Sequence, residues 1–64
     1  MYVLHVHYPG QPEATESRSA LSGAAALDLI RALLSAHPEC ECITVHAEGT
    51  HLFSVDCKGN RLPG

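Results

Sequence analysis

The chain predicts an α+β domain: one helix packed on a three-stranded antiparallel sheet, in the order β-α-β-β. Three observations predict it. Residues 20–36 hold the only apolar pattern at helical spacing. Residues 1–8 and 41–57 are rich in Val, Ile, Tyr, Thr and Phe, which favour strands. Pro and Gly separate these stretches. One helix and one sheet make a two-layer sandwich, and 64 residues suit a single small domain spanning 1–64.

The first strand, residues 1–8, places Tyr2, Leu4, Val6 and Tyr8 on one face and Val3, His5 and His7 on the other. Pro9 and Gly10 end it. Residues 9–19 (PGQPEATESRS) have no apolar period and read as a loop. In the helix, Ala26, Leu27, Ile30, Leu33 and Leu34 form the buried stripe, with Ser19 or Ser22 as N-cap. Pro38 disfavours helical geometry at His37 and stops the helix.

Residues 41–47 and 51–57 read as a hairpin. Opposed residues of an antiparallel pair share a face. A three-residue loop, Glu48-Gly49-Thr50, opposes Val45 to Phe53 and Ile43 to Val55, so the large apolar side chains meet. A two-residue loop at Gly49-Thr50 opposes Val45 to Ser54 and mixes the faces. The three-residue loop is therefore expected, with a left-handed residue at Gly49 or its neighbour. Lys58-Gly59-Asn60 reads as a turn and residues 61–64 as a frayed tail. Antiparallel pairs outnumber parallel ones, so the first strand is placed beside the third, giving order 1-3-2. The expected core is Leu4, Val6, Leu27, Ile30, Leu33, Leu34, Ile43, Val45, Phe53 and Val55. The face left uncovered carries His5, His7, Cys42, Thr44, His46, Leu52, Ser54 and Asp56.

Four Lys and Arg stand against seven Asp and Glu, a formal charge of −3. Direct nucleic-acid binding needs a basic footprint, and residues 1–57 contain only Arg18 and Arg31 as basic groups. An acidic body instead suits a basic protein surface, including one that normally holds nucleic acid. The acids available for this are Glu13, Glu16, Glu39, Glu41, Glu48 and Asp56. Their ordinary role is solvation; their sharper role is competition for a basic groove. Three Cys, an odd number with no C-x-x-C pair, point to reduced thiols and a cytoplasmic protein. No apolar run reaches membrane-spanning length.

His5-x-His7 projects two imidazoles from one strand face, and Cys42 and His46 share that face. Together they are a candidate soft-metal set for Zn or Cu. Order 1-3-2 puts Cys42 and His46 one strand too far away, and the ordinary reading is a solvated face. No cofactor is expected. Nucleophilic catalysis needs a base, oxyanion donors and a site that excludes water. An open sheet face offers no such site, so the chain reads as a non-enzyme.

The opening strand (YVLHVHY), the Ala/Leu helix (GAAALDLIRALL) and the closing hairpin (ECITVHAEGTHLFSVDCKGN) resemble the small single-domain anti-CRISPR inhibitors of phages and mobile elements. The resemblance is one of size, element order and acidity across the whole chain, and carries no motif. It implies an inhibitor in the bacterial cytoplasm that binds a CRISPR effector, with a basic nucleic-acid-binding subunit as candidate partner and DNA mimicry as candidate mode, and blocks target-DNA recognition or nuclease recruitment. It implies no catalysis and no cofactor. A monomer is expected, with a homodimer through the open face around Leu52 as the alternative.

Overall fold

The structure, a computed structural model, describes residues 1–63. The chain order is β1 (Tyr2–His7), β2 (Glu16–Ala20), α1 (Gly23–Ala36), β3 (Cys42–Ala47) and β4 (Thr50–Asp56). The four strands form one antiparallel sheet in the order β2-β1-β3-β4, and α1 covers one face. The α+β class therefore holds. The three-stranded sheet and the 1-3-2 order do not.

Both corrections come from β2. Its sequence, ESRSA, has little strand propensity. Its pairing comes from context. Tyr8, Pro9, Gly10 and Gln11 make a tight turn, with Gly10 at φ 77° and the Gln11 amide donating to the Tyr8 carbonyl. The chain then returns along β1, from Glu16 opposite Val6 to Ala20 opposite Tyr2. This extra reversal lets β3 arrive antiparallel beside β1, with Leu4 opposite Val45 and Val6 opposite Ile43. Without it, the same adjacency would need a parallel crossover.

Ser22 is the N-cap; its side chain accepts from the Ala25 amide at 3.1 Å. At the other end the His37 amide still donates to the Leu33 carbonyl, and Pro38 follows. The helix thus begins after Leu21, which is exposed.

The hairpin keeps the expected pairs Val45–Phe53 and Ile43–Val55 but reaches them differently. The loop has two residues, Glu48 (φ 52°) and Gly49 (φ 79°), both in the left-handed region that this tight turn requires. Ala47 opposes Thr50 and His46 opposes His51. A bulge then absorbs Leu52, and the register shifts so that Val45 meets Phe53.

Leu4, Val6, Ile43 and Val45 are completely enclosed. Each contributes about 1.5–3 kcal/mol by leaving water. Ile30, Leu33 and Val55 join them with Ala26 of the helix stripe, along with Ala20 and Cys40, which were not expected in the core. The helix packs chiefly on β1 and β2, not centrally over the sheet. That offset leaves Leu34 and Phe53 only half-buried and Leu27 56% exposed, so Leu27 is not a core residue.

The segment after β4 is also ordered by hydrogen bonds. The Asp56 amide donates to the Asn60 carbonyl, and the Leu62 amide donates to the Ser54 carbonyl. Arg61 bridges to Val55 and lays its guanidinium 4.7 Å from the Phe53 ring centre. Arg61 and Leu62 are therefore not frayed; they cover part of the outer edge of β4. Gly64 lies outside the described residues.

Candidate functional site

The sheet topology sorts the acids. β1 and β4 end, and β2 and β3 begin, at the same end of the sheet. Glu13, Glu16, Glu39, Glu41 and Asp56 sit in or beside the connections there. Glu48 is at the opposite end, on the β3–β4 turn.

Two of these acids are occupied. Glu16 accepts from His37 Nε2 at 2.7 Å and from Arg18 at 2.9 Å. The hydrogen bond from His37, then that from Arg18, holds its carboxyl below the usual range. The carboxylate requires a proton on Nε2, so in the neutral ring Nδ1 accepts from the Tyr8 hydroxyl at 2.8 Å. Asp56 folds the turn after β4. It accepts from the Asn60 and Lys58 amides, both at 2.9 Å, and from the Asn60 side chain at 3.4 Å. The bond from the Asn60 amide leads the causes that hold its carboxyl low. Glu13, Glu39 and Glu41 are exposed, and no hydrogen bond or ion pair engages their side chains among the described residues.

The face opposite the helix carries a line of imidazoles. Because β1 lies beside β3, His5 and His7 are brought next to Cys42 and His46, contrary to the separation that order 1-3-2 implied. His7 opposes Cys42 and His5 opposes Thr44. Ring centres of His5 and His46 are 5.3 Å apart, as are those of His46 and His51; His5 and His7 are 6.3 Å apart. His51 shares the alternation parity of Phe53 and Val55, which is that of the helix side. The bulge at Leu52 turns it to face His46. Ser17, Thr44 and Ser54 share hydrogen bonds with His5, His7 and His51 at 2.7, 3.1 and 2.8 Å. Partial burial, then the neighbouring His5, His51 and His7, push the His46 pKa below its ordinary value.

The rings follow one another across three strands and do not surround a point. Among the described residues, no group of three or more His, Cys, Asp or Glu side chains could hold a metal ion. The His5, His7, Cys42 and His46 set is thus adjacent without being convergent. Cys40, Cys42 and Cys57 are free thiols. Burial raises the Cys40 thiol pKa, and the nearby Cys57 and Cys42 add to the shift.

The Tyr8–His37–Glu16 relay was not foreseen, although Tyr8, Glu16 and His37 each lie next to a turn or helix stop. No helix among the described residues is long and apolar enough to cross a membrane. No family model, curated protein or solved structure matches the chain.

Proposed function

We propose that this protein is a small acidic binding module that occupies a basic, nucleic-acid-binding surface on a partner protein, in the manner of the anti-CRISPR inhibitors its format resembles. The observation that supports this reading most is the gathering of Glu13, Glu39 and Glu41 at one end of the sheet, exposed and unpaired among the described residues. Three exposed carboxylates on loops present negative charge that a Lys/Arg groove can neutralise, which speeds encounter and sets orientation. Glu16 and Asp56 support the scaffold and do not face the partner. Glu48 lies at the opposite end of the sheet and is not part of this group. The protein works as an inhibitor by occupancy, without catalysis or cofactor. The soft-metal alternative gains strand adjacency but lacks a third converging ligand.

The test is binding of the purified protein to a purified type I CRISPR effector complex, with target DNA as competitor. The combined variant Glu13→Lys, Glu39→Lys, Glu41→Lys should fold normally and lose binding. Wild-type binding that is indifferent to the triple reversal, or no binding by the wild type, removes this reading for that effector class.

A further inference from the structure

The offset of α1 toward β2 opens a groove of about 360 Å³ between the helix and β4. Leu27, Ile30, Leu34, Phe53 and Val55 provide its apolar walls. Arg31 and Lys58 line it, and Arg61 lies over Phe53. These are three of the four Lys and Arg in an otherwise acidic chain. The fourth, Arg18, is paired with Glu16 on the far strand. Arg31, Lys58 and Arg61 form no ion pair among the described residues, and no acid lines the groove. The nearby Asp56 carboxylate is directed to the amides of its own turn.

An apolar trough with unpaired cations on its rim matches a ligand of the opposite pattern. We infer that this groove docks a short acidic-amphipathic peptide segment of a partner protein, with one or two large apolar side chains flanked by Asp or Glu. The apolar anchors fill the space beside Leu27, Leu34 and Phe53. The flanking carboxylates meet the guanidinium forks of Arg31 and Arg61, which suit carboxylates, and the ammonium of Lys58. The groove lies on the helix side of the sheet and has the opposite charge to the Glu13–Glu39–Glu41 end, so the two surfaces select different partners.

The experiment is fluorescence anisotropy with a labelled peptide bearing a Glu-Leu-Phe-Glu core, beside the same peptide with Lys for each Glu. The acidic peptide should bind, more weakly as salt rises, and the basic one should not. Arg31→Glu and Lys58→Glu should each weaken binding roughly tenfold. Leu27→Asp should abolish it; Leu27 is exposed, and circular dichroism will report whether the fold is kept. Arg18→Glu and the Glu39→Lys, Glu41→Lys pair should bind as wild type, which separates this site from the acidic end. Equal binding of both peptides, no binding of either, or wild-type affinity in Arg31→Glu would overturn the inference. Binding of decanoate with no binding of the acidic peptide would also overturn it, by assigning the groove to a single-chain amphiphile.

Discussion

Glu16 Oε1 lies 2.7 Å from His37 Nε2, and that contact ties the start of β2 to the end of α1. Tyr8 holds the other ring nitrogen from the end of β1. Three elements that are remote in sequence meet at one imidazole. A segment with weak strand propensity is thereby anchored at the point where its pairing begins.

Glu16→Gln should loosen β2 while leaving the β3–β4 hairpin intact. Amide hydrogen exchange is the measurement: exchange should speed up across residues 16–20 and stay unchanged at Val45 and Val55. The same carboxylate has a pH signature. Its folded pKa is depressed below the ordinary 4.5, so its contribution to stability is present above that value and is lost as pH falls through the folded pKa. Wild type should therefore lose more stability than Glu16→Gln on acidification below about pH 4.5; denaturant midpoints compared across that window test it.

Leu33 and Leu27 separate the observed helix position from a centred one. Leu33 is 3% exposed and Leu27 is 56% exposed. Leu33→Ala should cost about 2–5 kcal/mol, as buried truncations do. Leu27→Ala should stay within about 0.5 kcal/mol. Urea unfolding measures both, and equal costs would refute the offset helix.

Glu48 sits at φ 52° without a glycine's freedom. Glu48→Asn creates the Asn-Gly pair that this two-residue turn prefers and should stabilise the fold by about 0.5–1 kcal/mol. Thermal denaturation will show a raised midpoint. Gly49→Val, at φ 79°, should lower it.

Asp56→Ala should free the segment after β4. The Lys58 and Asn60 amides lose their acceptor, and the Leu62 amide, which donates to Ser54, should exchange faster. Arg61 should also leave the Phe53 ring, which ring-current shifts in proton NMR report.

Cys40 should be the last of the three thiols to alkylate under native conditions. It is 4% exposed and its thiolate is disfavoured by burial. Mass-resolved iodoacetamide labelling gives the order, and Cys40 should become reactive only on unfolding.

Much of the fold is legible in local pattern. The β1 alternation, the buried Ala26, Ile30 and Leu33 of the helix stripe, the Pro38 stop and the Val45–Phe53 and Ile43–Val55 pairs follow from side-chain period and proline chemistry, which act within a few residues; the length of the hairpin turn does not. For the candidate site, the same alternation puts His5, His7, Cys42 and His46 on the uncovered face. The absence of an apolar period places Glu13 in a loop, and Glu39 and Glu41 fall at the entry to the second predicted strand.

What only the tertiary structure decided involves residues far apart in the chain. ESRSA becomes a strand because β1 offers an open edge and His37 waits at the helix end; neither is visible in those five letters. That one strand then sets the sheet order, reverses the direction in which β3 arrives and draws α1 off β4. Leu27 is exposed and the cationic groove exists as a result. His51 joins the imidazole line because the two-residue turn pairs it with His46, and a bulge at Leu52 then brings Val45 opposite Phe53. The sequence by itself determined that the stretches of β1, α1, β3 and β4 are helix or strand, and which faces of those strands are apolar. The order of the strands, the position of the helix and the company each functional side chain keeps were decided by long-range pairing, where one added strand changes every neighbour.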